Sequence, residues 1–340
     1  MHLAVYLPLL IPVLAAIAAR PVADQLPPAA ATWLLTLSAV ILAATSSAVL
    51  GLLVVSAFVR LSFVQTIGHL SGSAVSGGDT VALPVAIIAG GALAAAAAAA
   101  ARMLRRRVSA LRAAHRHARG LPGVTEVVVT EDSAADAYTV PGWPCRIVVT
   151  QGMLSALPGR ERDVLLAHER SHARNSHYLF TSLAGLAAAA NPLLRPLAAE
   201  VRYTVERWAD EQAATATGDR PLAARAVAHA ALATAAAPPG RDGTLSALGL
   251  IAEEAEAPPA SRRADPGQAP RTRTGGGPLR SLRRTAGPVP RRVAALLAPP
   301  PVLPPLIAAA AVALVALSGA SALEAARDFH QLIEIARTAR

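Results

Sequence analysis

Hydrophobic positions in this chain are gathered into long charge-free blocks. Leu3 to Ala19 carries no charge for 17 residues, and the stretch between Asp24 and Arg60 carries none for 35. The stretch between Asp79 and Arg102 is free of charge for 22 residues, and that between Arg292 and Glu324 for 31. About 20 apolar residues of helix cross a hydrocarbon core of about 30 Å. The blocks therefore predict four transmembrane helices, at about 3–20, 33–58, 81–102 and 304–323. The first block ends in Ala15, Ala16, Ala18 and Ala19, as a secretory signal peptide would, but Met1-His2 lacks the usual Lys or Arg, so a retained span is the preferred reading.

Between the third and fourth blocks the pattern changes. Residues 103–119 read as a basic helix, broken at Leu121-Pro122-Gly123. Val124–Thr130, Ala137–Val140 and Cys145–Thr150 are short strand candidates. Pro158-Gly159 precedes a helix on which Val164, Leu165, His168, His172 and Ser176 share a face at i, i+3, i+4 spacing. Tyr178–Ala190 is apolar but too short to span. Helices follow at about Leu197–Thr217 and Pro221–Ala236. Residues 238–290 are rich in Pro, Gly and Arg and read as a flexible linker, with short helices near Leu245–Ala255 and Val289–Leu297. The expected organisation is 1–102 for spans one to three, 103–237 for a folded domain, 238–303 for the linker, 304–323 for the fourth span and 324–340 for a short extracytoplasmic tail.

Charge sets the expected orientation. All 32 basic residues are Arg, against 22 acids, a net +10. Seven Arg follow the third block between 102 and 119, and nine precede the fourth between 261 and 292. Arginine-flanked loops stay cytoplasmic, so the 103–303 loop is expected inside and both termini outside. The same arginines would attract anionic lipid, and the bilayer is the first expected partner. Aromatics are 3%, too few for extended base stacking, and no basic recognition element is evident, so no nucleic-acid partner is expected. Cys145 is the one cysteine, which excludes an intramolecular disulfide framework and CxxC-type sites.

His168-Glu169-Arg170-Ser171-His172 has the form HExxH on a predicted helix. Residues at i and i+4 project from one face, so both imidazoles can bind one zinc ion. Glu169 can reach the open position of that metal, take a proton from water and return it to a leaving amine. Chance alone produces this spacing about once in a hundred such chains. Glu206-Arg207-Trp208-Ala209-Asp210 lies on the next long helix, 34 residues beyond His172. Its ExxxD form puts Glu206 and Asp210 on one face. Glu206 can be the third ligand, and Asp210 can hydrogen-bond the distal nitrogen of a ligating histidine, His168 being the favoured one.

A run of apolar helices, short strands, LLAHERSH, a hydrophobic stretch and VERWADEQAA resembles the BlaR/MecR-type integral-membrane zinc metallopeptidases. More distantly it is similar to the HtpX-type membrane proteases. The resemblance covers about residues 1–235, and RRVAALL before the last block adds to it. It implies a mainly α, integral-membrane protein with a cytoplasmic α+β gluzincin-like zinc protease domain between helices 3 and 4. His168, His172 and Glu206 match the family's metal ligands, Glu169 its general base and Asp210 its supporting acid. Sensor members continue into a penicillin-binding domain, whereas only Glu324–Arg340 follows the last span here, so β-lactam sensing is not expected.

The remaining candidates are weaker. His177, five residues past His172, would lie about 140° around a continuous helix and is expected to be structural or interfacial. His115 and His117 are expected to be solvated, and Cys145 to be a small buried apolar residue. His229 has no acidic or histidine partner nearby in sequence and could reach the site as an electrophile. Tyr203, one turn before Glu206, could touch it. Either Cys145–Thr150 or Ala137–Val140 could pair with an extended peptide. The functional expectation is a zinc-dependent integral-membrane endopeptidase. It would cleave a protein at the cytoplasmic face, such as a transcriptional repressor or a membrane protein, in regulatory proteolysis. The alternatives are a non-catalytic signalling or scaffold protein that keeps the zinc fold, and a latent enzyme whose cleft is blocked by the Arg-rich linker.

Overall fold

The computed structural model describes residues 7–58, 83–120, 125–140, 142, 145–236, 287–299 and 305–338. The expected helix near Leu245–Ala255, the break at Leu121-Pro122-Gly123 and the side chain of His117 lie outside them. The described chain is mainly helical. It divides into two compact units: residues 1–106, 180–202 and 302–340 in one, and 107–179 and 203–301 in the other.

The first unit holds α1 (Leu7–Gln25), α2 (Pro28–Phe58), the start of α3 (Leu83–Gly120) and α10 (Pro305–Thr338). Four helices among the described residues, one from each charge-free block, are long and apolar enough to cross a membrane. The third block and its basic continuation form one unbroken helix, α3. The last extends to Thr338, through most of the stretch expected to be a tail. Small polar residues join these helices. Pro12 has no N–H to offer the carbonyl of Pro8, and the Ser46 hydroxyl lies 2.8 Å from that carbonyl instead. Asn191 donates to Ser46 at 3.2 Å, and the Thr45 and Ser318 hydroxyls meet at 3.0 Å.

The second unit is built on a three-stranded sheet ordered β1-β3-β2, with β1 (Val127–Thr130) parallel and β2 (Ala137–Val140) antiparallel to the central β3 (Arg146–Thr150). Ile147 to Thr150 are all buried, because both faces of β3 are covered. Val148 packs with Val140 and Ala114 of α3, whereas Ile147 and Val149 pack with Met153, Leu157 and Leu165. These last come from α4 (Gln151–Ala156), its following residue and α5 (Gly159–Arg174). The Thr150 hydroxyl caps α4 by accepting from Met153 N at 3.2 Å and also bonds the Asp136 backbone. Gly152 is required there: a Cβ would sit 2.2 Å from the Ser133 carbonyl oxygen.

α5 ends at Arg174. Asn175 closes it by donating its N–H to Ser171 O at 3.0 Å, and Ser176 turns the chain through a left-handed conformation, φ 51°. Such a φ is uncommon outside glycine. The expected continuation of the helix through Ser176 therefore does not occur, and α6 (His177–Ala190) starts afresh. A short 3₁₀ turn, Pro192–Leu194, leads into α7 (Arg195–Thr217), followed by α8 (Arg220–Ala236) and α9 (Pro288–Leu296). Val164, Ala213, Ala214, Leu222, Ala223, Ala226 and Leu296 form a core joining α5, α7, α8 and α9. Helix α9 was expected as a short helix within the linker, but it packs into this unit. Arg220 fixes its C-terminal end by donating to the carbonyls of Leu296, Ala295 and Ala298 at 3.1–3.2 Å, while Glu211 holds the other side of the guanidinium.

Candidate metal centre

The i, i+4 spacing on α5 and the ExxxD spacing on α7 bring three donors together. His168 Nε2 and His172 Nε2 are 3.1 Å apart. Glu206 Oε2 is 3.5 Å from the first and Glu206 Oε1 3.6 Å from the second. Zinc bonds of about 2.0–2.1 Å in a tetrahedron imply donor–donor edges of about 3.3–3.4 Å. The three observed edges bracket that length, so this donor set fits one small divalent ion with room for a fourth position. Side-chain exposure is 12% for His168, 5% for His172 and 22% for Glu206, so the cluster is largely buried with Glu206 its most exposed member. Among the described residues these three form the one cluster of potential metal ligands.

Each histidine is held through its far nitrogen. His168 Nδ1 faces Asp210 Oδ1 at 3.1 Å, the partner expected from the sequence. His172 Nδ1 faces His177 Nδ1 at 3.0 Å. His177 therefore lies beside the cluster, because the turn at Ser176 brings its ring back. The 140° separation assumed for a continuous helix does not apply.

The charges around the two histidines differ. Burial alone would lower the His168 pKa, but hydrogen bonds to Asp210 and Glu206 outweigh it and lift the metal-free value to about 10. Burial lowers His172 to about 3 and His177 to about 4. Burial would raise Glu206 and Asp210, but Arg292 holds both well below the usual carboxylate range. Arg292, on α9, places Nη1 3.0 Å from Glu206 Oε2, Nη2 2.7 Å from Asp210 Oδ1 and Nε 2.8 Å from Asp210 Oδ2. Sequence reasoning missed this residue. It is one of nine arginines in a low-complexity stretch, and its separation from Asp210 by 82 positions gives no local signal.

Glu169 is buried on the same helix turn, and burial pushes its carboxyl above the usual range. Thr139 of β2 fixes it: the hydroxyl lies 2.9 Å from both Glu169 Oε2 and the Glu169 carbonyl. The donor cluster, a buried carboxyl beside it and a strand bonded to that carboxyl make up a metallopeptidase centre in outline. The family model for peptidase family M48 matches residues 97–299.

The chain belongs to peptidase family M48. That match includes α5, α7 and α9, and so every residue placed around the cluster above. M48 peptidases are zinc-dependent, in agreement with the donor set. No curated protein and no solved structure matches the chain.

The other candidates have partners of their own. His229, with no acidic partner nearby in sequence, pairs with buried Glu161, 68 positions away, at 2.7 Å. Tyr203 lies under Arg291, whose guanidinium carbon is 3.7 Å from the ring centroid, so it braces α9. Cys145 donates to the Val140 carbonyl at 3.1 Å, and burial raises its pKa.

Proposed function

We propose that the chain is a zinc-dependent integral-membrane endopeptidase acting on a protein at the cytoplasmic face. The observation that carries this reading is the convergence of His168, His172 and Glu206 at tetrahedral edge lengths, with Glu169 on the next residue. These three would hold the ion, with Asp210 supporting His168. Zinc bound there supplies Lewis acidity, polarising a scissile carbonyl and lowering the pKa of water. Glu169 takes the proton from the attacking water and later delivers it to the leaving amine. Its buried position favours the protonated form it must pass through, and the Thr139 hydroxyl keeps its carboxyl in place.

The peptide is assigned to β2. Central β3 is paired on both sides, which removes Cys145–Thr150 as a receiving edge. Among the described residues β2 pairs with β3 alone, and its Thr139 touches Glu169. An extended substrate added to β2 would run past the catalytic carboxyl. Four helices of spanning length and the arginine distribution support a multi-pass membrane location with this unit inside. The resemblance to BlaR/MecR-type peptidases supports a regulatory role, with a repressor or membrane protein as substrate.

Wild-type and Glu169→Gln proteins, purified in detergent, test this reading by metal content and casein cleavage. About one zinc in each, with cleavage by wild type alone, is expected. No stoichiometric metal in either would remove the centre. Zinc in both and cleavage by neither would favour the scaffold alternative.

A further inference from the structure

We propose that His177 is the positioning residue for His172, holding it in the tautomer that presents Nε2 to the metal. This rests on the reading of His172 as a zinc ligand. His172 Nε2 faces His168 Nε2 and Glu206, so it must offer a lone pair there. The ring hydrogen then sits on Nδ1, which points at His177 Nδ1 across 3.0 Å. An imidazole that accepts at Nδ1 carries its own hydrogen on Nε2. With His172 Nε2 as a ligand, the tautomers of both rings follow from this contact.

The surroundings of His177 fit that role and no simpler one. The residue is 1% exposed, with its ring 4.8 Å from that of Trp208. Its Nε2 has no hydrogen-bond partner among the described residues. A buried donor left unsatisfied is costly, and a ring that served only to fill space would be better apolar. The left-handed Ser176 adds a second cost at the position that swings His177 towards His172. Both costs are accounted for if Nδ1 is needed where it is. Ligating histidines regularly donate their second N–H to a neighbouring acceptor, and removing that acceptor typically costs 10–100-fold in metal affinity. Asp210 is that acceptor for His168, and His177 supplies it for His172.

The test uses the full chain in detergent, stripped of metal and titrated with zinc against a chromophoric chelator. His177→Phe keeps a ring but removes the acceptor. His177→Asn places an amide oxygen near the position of Nδ1. Zinc affinity should fall about 10–100-fold in His177→Phe and return to within a few-fold of wild type in His177→Asn. The metal-free melting temperature of His177→Phe should change little, because losing the unpartnered His177 Nε2–H offsets leaving the His172 Nδ1–H without its acceptor, whereas a purely structural histidine would lose stability with zinc affinity unchanged. His177→Leu replaces it if the phenyl ring prevents folding. Unchanged affinity in the apolar variant, or equal loss in His177→Asn, would overturn the inference while the site reading stands. A wild type that takes up no zinc would overturn both.

Discussion

The two flanks of the candidate metal centre hold its histidines by opposite means. Around His168 the partners are charged: Asp210 on its Nδ1, Glu206 beside its Nε2, and Arg292 bonded to both carboxylates. On the Nδ1 side of His172 they are neutral: His177, with Trp208 against the His177 ring. Without metal, the charged flank holds His168 protonated up to about pH 10, whereas burial keeps His172 neutral down to about pH 3. The charged flank is strong but depends on every member, because each buried charge needs its counterpart. The neutral flank contributes orientation with little charge to compensate.

The sharpest way to break this comparison is to remove Arg292. Arg292→Gln leaves Glu206 and Asp210 with the protonated His168 to share but without the guanidinium that pairs with both. Breaking a buried ion pair from one side costs about 3–5 kcal/mol. The metal-free protein should lose stability on that scale in thermal or denaturant unfolding. Saturating zinc should restore part of the loss, since it brings positive charge back to Glu206. An equal loss with and without zinc would make Arg292 a packing residue of α9 and not a member of the charged flank.

Next in size is Asp210→Asn, the counterpart of the His177 substitutions. The amide can still accept from His168 Nδ1, but it no longer carries the charge that Arg292 pairs with. Zinc affinity should fall about 10–100-fold by chelator competition, together with some metal-free stability. The His177→Phe variant should lose affinity alone. If both variants lose stability alike, the two flanks are not of different kinds.

These flanks differ equally in how far the sequence revealed them. His168, Glu169, His172, Glu206 and Asp210 were legible because each spacing lies within one helix, where 3.6 residues per turn fixes which side chains share a face. The apolar blocks were legible for a similar reason: length and lack of charge are enough. Arg292 was not, because a contact over 82 positions has no periodicity to betray it. His177 was misplaced because the helix was assumed to run on. The Asn175-Ser176 pair was the available signal, as asparagine often closes helices and both residues compete for backbone hydrogen bonds. The sheet order was also hidden. Nothing in three short strands says that the last in sequence lies in the middle, yet that order leaves β2 at an edge beside Glu169.

The smallest effect is expected at a residue that belongs to neither flank. Thr139 reaches Glu169 from β2, and its hydroxyl has one proton for two oxygens, Oε2 and the backbone carbonyl, each at 2.9 Å. When Glu169 is ionised, that proton is best used on the carboxylate. When Glu169 has taken a proton, its own O–H can donate to Thr139 while Thr139 turns to the carbonyl. The hydroxyl would therefore steady Glu169 in both states that the proposed role of general base requires. Thr139→Val keeps the shape and removes the bond, and a hydrogen bond to a charged group is worth about 1.5–3 kcal/mol. Turnover should fall about tenfold or somewhat more, with KM little changed and recovery in Thr139→Ser. Zinc affinity should not move, because neither His168 nor His172 depends on this contact. A parallel fall in zinc affinity would show that holding the base and holding the ligands are one task in this centre.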